Sequence, residues 1–206
     1  MTLLITRPRY ELVTHYLYHW SEAIVAEAKK RMSGVIDLEK GKASRTRVES
    51  YLEKQKPELV IMNGHGSEDC ITGQDEEVLI QAGENSDLLK DKVVYMRSCD
   101  SGKVLGPQAV REGCKAFIGY SELFRFWTNE NFVRKPLDDN YARPFFETSN
   151  QVALALVKGK SAREAHEESR KAYEKIVSRL LTSDAENSFV VPDLYWNFHH
   201  QVCLER

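Results

Sequence analysis

The stretch from Lys92 to Tyr120, KVVYMRSCDSGKVLGPQAVREGCKAFIGY, constrains this chain more than any other. Val93 to Met96 is a short, β-rich apolar run of the kind buried on both faces of a parallel sheet, and it stops at Arg97-Ser98-Cys99-Asp100-Ser101-Gly102. Val104, Leu105, Ala109 and Val110 then recur at helical spacing, Gly113 closes the helix, and Ala116-Phe117-Ile118 begin another buried strand. This is one β-α-β unit. It predicts Cys99 at the carboxyl end of a strand, where open parallel sheets gather their chemistry. Against that stands the ordinary fate of a cysteine, which is to be a small buried apolar residue.

A second strand end shifts the balance. Pro57 to Asn63 is another buried-strand run, and it ends in Gly64-His65-Gly66. Glycines on both sides give a histidine backbone freedom and little crowding. Parallel neighbours align their carboxyl ends, so His65 and Cys99 can meet across the sheet as base and nucleophile although distant in sequence.

Taken in order, Thr2 to Thr6 reads as a strand that Arg7-Pro8-Arg9 interrupts, and apolar residues from Leu12 to Met32 predict one long amphipathic helix ending before Gly34. Val35 to Leu38 reads as the second strand, and a helix around Val48, Tyr51 and Leu52 ends at Pro57. The alternation gives an α/β fold: a mostly parallel central sheet of about six strands with helices on both faces. Cys70 to Thr72 and Val78 to Ile80 predict a small hairpin after the histidine. The acids around it (Glu68, Asp69, Asp75, Glu76, Glu77) follow no EF-hand pattern, so no metal and no cofactor is expected. Ser121 to Tyr141 has no clean period and several large aromatics, which by themselves read as a loop folded back onto the core. Two helices follow, Phe145 to Val157 and Ala162 to Leu180, then a polar linker at Ser183 to Ser188 and a final strand at His200 to Leu204. In a strand His199 and His200 would point to opposite faces.

Composition narrows the class. A chain of 206 residues with 42% hydrophobic residues can bury one full core, which predicts a single domain over 1–206. With 29 basic against 31 acidic residues, the formal charge of −2 offers no electrostatic reason to expect nucleic acid. The cysteines at 70, 99, 114 and 203 lack paired CxxC spacing, which argues for a reduced compartment rather than a zinc site. The apolar run Leu3 to Ile5 is too short for a signal peptide or a membrane span, so the expected location is cytoplasmic with no membrane partner.

The pair NGHG and RSCDSG, followed by the strand AFIGY, resembles the caspase-like cysteine peptidases, and most closely their CHAT branch. Phe145 to Ala172 is similar to the helix, G-x-S turn and helix of CHAT domains, and Leu194-Tyr195-Trp196-Asn197 with His200 to Leu204 is similar to their terminal strand. The likeness runs from about Glu58 to the end of the chain. It implies a Cys99/His65 dyad needing no third carboxylate, with the backbone N–H groups of Gly66 and Cys99 forming the oxyanion site. It further implies that the segment after the fifth strand borders the substrate groove, where Trp127 would grip an extended peptide, and that Arg97, two residues before the cysteine, lines the primary specificity pocket together with Arg7 and Arg9. A fixed positive charge there predicts cleavage after Asp or Glu, unless Arg97 is an internal ion-pair partner. The implied partners are a protein or peptide substrate and a regulatory or activating protein, in a bacterial defence or cell-death setting. Two other readings stay open: a catalytically silent scaffold and a non-peptidase thiol hydrolase on a similar sheet.

Overall fold

The computed structural model describes residues 1–182 and 185–206. Ser183 and Asp184, part of the expected polar linker, lie outside the described residues. Strands β1 (Thr2–Arg7), β2 (Gly34–Glu39), β3 (Leu59–Asn63), β6 (Val93–Arg97), β7 (Ala116–Tyr120) and β8 (Gln201–Glu205) form a six-stranded sheet in the order β2-β1-β3-β6-β7-β8. All neighbours pair in parallel except β7 and β8, which are antiparallel. The remaining strands, β4 (Cys70–Thr72) and β5 (Val78–Gln81), are the expected hairpin.

The sheet is buried on both faces, so successive residues of one strand feed two cores. Leu3 and Ile5 join Ile61, Tyr95 and Ile118 in the core beneath α1 (Leu12–Trp20), α2 (Glu22–Arg31), α5 (Arg143–Val157) and α6 (Ala162–Thr182). Leu4, Val60, Met62, Val94, Met96 and Phe117 face the other core, closed by α3 (Arg45–Lys54), α4 (Leu105–Arg111) and the hairpin.

Two elements depart from the sequence reading. The single N-terminal helix is broken at Ser21, whose hydroxyl donates to the Leu17 carbonyl at 2.6 Å while accepting from the Arg97 guanidinium at 2.8 Å. A serine bonded back to the preceding turn bends a helix, and here a buried arginine also pulls on it. The region expected to contain part of the terminal strand, Leu194 to Asn197, is instead inside helix α7 (Val191–His200). Pro192 in the first turn has no N–H to lose there, Asp193 complements the helix dipole, and Val191, Leu194 and Asn197 are buried at helical spacing. His199 and His200 therefore lie on a helix, and only the last five described residues before Arg206 form β8.

Candidate active site

The site grows out of strand register. In the β3–β6 ladder Asn63 faces Arg97, so the residues two positions beyond each strand end, His65 and Cys99, leave the sheet side by side. The sequence separation of 34 residues between the paired positions is thus that of His65 and Cys99 as well. The two glycines around His65 are needed by packing rather than by unusual dihedrals. A Cβ at Gly64 would lie 2.0 Å from the Thr72 carbonyl oxygen of the hairpin, and one at Gly66 would lie 2.6 Å from the Cys99 carbonyl oxygen and 2.9 Å from Ser98 Cβ. Backbone on backbone is how the histidine loop is pressed onto the cysteine loop. Among the described residues the N–H groups of Gly66 and Cys99 donate to no backbone carbonyl.

His65 is not left to backbone groups alone. Its Nε2 lies 3.3 Å from Glu11 Oε1. Glu11 is the N-cap of α1 and accepts from the Val13 N–H at 2.7 Å and the Thr14 N–H at 2.6 Å, while Thr14 Oγ1 accepts from the Glu11 N–H at 3.2 Å. This is a capping box with glutamate at the cap and threonine at the third position. Burial would raise the Glu11 pKa, but the bonds from Thr14 and Val13 and the neighbouring His65 overrule it and hold the carboxyl below its usual range. With Nε2 on the carboxylate, Nδ1 is the nitrogen left for the thiol. The sequence reading missed Glu11, which lies 54 residues from its histidine.

Cys99 and His65 line one cleft of about 450 Å³ whose walls are mainly apolar: Leu12, Val13, Leu123, Phe124, Phe126 and Trp127. Burial pushes the Cys99 thiol up, the Phe124 backbone N–H at the sulfur opposes that rise, and Asp100 adds to it. At neutral pH the resting group is the thiol. Alkylation of Cys99 by iodoacetamide, followed by mass spectrometry of its peptide, is therefore expected to be slow at about pH 7 and to climb steadily through about pH 9. A rate already at its plateau near pH 6 would reveal a preformed thiolate and contradict this electrostatics.

The aromatic wall is built by α7. Asp193 Oδ2 accepts from Trp127 Nε1 at 2.8 Å, and Asp193 Oδ1 accepts from Arg125 Nη1 at 3.0 Å. Asn197 accepts from the Arg125 N–H at 2.9 Å and donates to its carbonyl at 2.7 Å. Trp127, held this way, remains 47% exposed on the cleft. On the far side, Lys103 Nζ reaches Asp100 at 2.8 Å, Glu122 at 3.3 Å and Glu68 at 3.5 Å, tying the cysteine loop, the segment after β7 and the histidine loop together.

The arginines expected in the specificity pocket are placed differently. Arg97 is fully buried: its guanidinium donates to Asn63 Oδ1 at 2.8 Å, Asn150 Oδ1 at 2.7 Å, and the Ser21 and Ser149 hydroxyls at 2.8 and 3.2 Å. Among the described residues it neither lines the cleft nor pairs with an acid; its partners there are neutral. Arg7 is also committed, bonding Asp37 through Nε at 2.8 Å and Nη2 at 2.5 Å across β1 and β2, with its guanidinium over Tyr18. Of the three, only Arg9 is exposed, in a groove adjoining the cleft.

No protein-family model and no curated protein matches the sequence. Among solved structures, the chain is similar to the complex of Porphyromonas gingivalis RgpB pro- and mature domains, at a TM-score of 0.60 and 9% identity over 100% of this chain and 47% of that one. It is likewise similar to the Arg-specific cysteine proteinase gingipain R, at a TM-score of 0.56 and 11% identity over 99% of this chain and 45% of that one. The chain thus spans less than half the length of either structure, and the likeness is one of fold. No helix among the described residues is long and apolar enough to cross a membrane.

Proposed function

We propose that this chain is a caspase-like cysteine endopeptidase with Cys99 as nucleophile and His65 as its proton partner. The observation that carries this reading is the emergence of both residues, two positions beyond a paired Asn63 and Arg97, into one shared cleft. His65 Nδ1 takes the thiol proton as sulfur attacks the substrate carbonyl carbon, and the imidazolium then gives that proton to the leaving amine as the C–N bond breaks. Water hydrolyses the resulting thioester with His65 again as base. The N–H groups of Gly66 and Cys99 stabilise the tetrahedral oxyanion, and Glu11 fixes the imidazole and supports its positive charge. The raised pKa of the thiol fits a dyad that transfers its proton during attack.

The substrate is a protein or peptide. With Arg97 and Arg7 occupied inside the fold, the residue before the scissile bond is read as apolar or aromatic, gripped by Phe126 and Trp127. The CHAT affinity, a regulatory protein partner and a defence or cell-death role remain part of the proposal. The α5, Gly159-Lys160-Ser161, α6 arrangement, in which Ser161 and Glu164 cap the second helix, supports the CHAT affinity alone; the partner and the pathway are what that affinity would imply.

A fluorogenic peptide panel varying the residue before the scissile bond tests this, with wild type and Cys99→Ala side by side. Cleavage after Phe, Leu or Met that disappears in Cys99→Ala is the expected result. Cleavage that persists in Cys99→Ala would sink the nucleophile assignment, and cleavage restricted to Asp and Glu would sink the apolar pocket.

A further inference from the structure

A second groove, of about 640 Å³, adjoins the Cys99 cleft, with Leu12 lining both. Its chemistry is different, since Arg9, Arg134, His15 and His19 all face into it. Arg9 is built into position. Its N–H donates to Gln74 Oε1 at 2.9 Å and its carbonyl accepts from Gln74 Nε2 at 3.3 Å. Its Nε meets His15 Nδ1 at 3.2 Å, while His15 Nε2 meets the Val133 carbonyl at 2.8 Å. A carbonyl can only accept, so His15 donates from Nε2, and its lone pair at Nδ1 accepts the hydrogen bond from Arg9 Nε–H. The side chain is held by one nitrogen, and its two terminal nitrogens are uncommitted among the described residues.

The groove contains its own carboxylate, Glu11, but that group is engaged by two backbone N–H groups and His65. His19 is paired with Glu22. Among the described residues neither Arg9 nor Arg134 forms an ion pair, although Arg7, two residues from Arg9, is bonded to Asp37. A guanidinium held at Nε with both terminal nitrogens open, and a second guanidinium lining the same groove, form a receptor for a carboxylate.

We propose that this groove is a second substrate subsite, binding the carboxylate of an Asp or Glu that flanks the scissile bond while the apolar cleft takes the scissile residue itself. The inference rests on the peptidase reading. An extended peptide advances about 3.3 Å per residue and turns alternate side chains to opposite sides, so a chain laid past Cys99 offers a flanking side chain to the neighbouring groove.

The test is direct binding to the Cys99→Ala protein, read by fluorescence anisotropy of labelled hexapeptides that differ only in carrying Glu, Gln or Lys at one flanking position at a time. Glu is expected to bind about tenfold tighter than Gln at one position, an advantage that shrinks with added salt. That preference is expected to vanish in Arg9→Gln/Arg134→Gln and to turn toward Lys in Arg9→Glu/Arg134→Glu. Both side chains are exposed, and matching circular dichroism and melting temperature verify that the variants fold. Equal affinity for Glu and Gln at every position, including no binding of either, overturns the subsite. So does a Glu preference that survives Arg9→Gln/Arg134→Gln. Binding needs no turnover, so selective binding of Glu without cleavage by wild type would refute the peptidase reading and leave the carboxylate site standing.

Discussion

Arg97→Met is expected to cost about 3–5 kcal/mol of stability, enough to unfold a domain of ordinary stability at moderate temperature. Arg97 reaches no solvent and, among the described residues, no carboxylate, and burial lowers its pKa. An isolated buried charge is expensive, which by itself predicts a gain on removal. The partners decide the sign. Asn63 Oδ1, Asn150 Oδ1 and the Ser21 and Ser149 hydroxyls all turn inward onto the guanidinium; methionine strips both amide oxygens of their donor in a buried interior, while the two hydroxyls keep only their bonds to the Leu17 and Phe146 carbonyls. Each buried polar group without a partner costs about 1–3 kcal/mol, so the two orphaned amide oxygens, with the lost bonds to both serines, outweigh the relief of removing one charge. Those partners belong to β3, to α5 and to the Ser21 kink between α1 and α2. The loss should therefore be global, appearing in urea denaturation as a lower midpoint with an unchanged slope. Arg97→Lys should recover only part of it, because one ammonium has three donors and lacks the planar fork. A loss below about 1 kcal/mol in Arg97→Met would mean that the neutral acceptors find other partners or water.

The same residue marks where reading the sequence stopped. A charged side chain two positions before a reactive cysteine looks like a pocket residue, and nothing local says otherwise. Its partners at 21, 63, 149 and 150 are brought together only by tertiary packing. What periodicity determines was readable: the buried strands, the hairpin at Cys70–Thr72 and Val78–Gln81, and the six-stranded sheet with helices on both faces. Register then carried His65 to Cys99, since two strands of equal length with aligned ends bring equivalent positions together. Helix α7 was misread because a strand was carried over to Leu194-Asn197 from the family resemblance, against the local signals of a Pro-Asp start and the helical spacing of Val191, Leu194 and Asn197. That error mattered for the site, since α7 holds Arg125 and Trp127 through Asp193 and Asn197. Glu11 was hidden for another reason. Ser, Thr, Asp and Asn are the usual caps, so a glutamate before a helix does not advertise itself as the residue that both starts the helix and reaches a histidine.

Those two tasks of Glu11 can be separated, and the separation is the sharpest test of how the imidazole is held. Serine at this position can still accept from the Thr14 N–H as an N-cap, but it is too short to reach His65 Nε2. Glu11→Ser is therefore expected to keep stability within about 1 kcal/mol of wild type while lowering kcat roughly 100-fold, with KM little changed. Glu11→Ala is expected to show the same kinetic loss with about a further 1 kcal/mol of destabilisation from the missing cap. His65→Ala removes the proton carrier itself and should fall lower, by about 10³ to 10⁴ in kcat. The pH dependence follows from the carboxyl's depressed pKa. Its contribution to stability is complete above the ordinary carboxylate range and is lost only as the pH falls through its lower folded value. Wild type and Glu11→Ser should then converge in stability only in acid, whereas their difference in kcat persists at neutral pH. If Glu11→Ser turned over peptide as fast as wild type, the contact at 3.3 Å would be a capping carboxylate that merely touches the histidine, and Cys99 and His65 would act as an unassisted dyad.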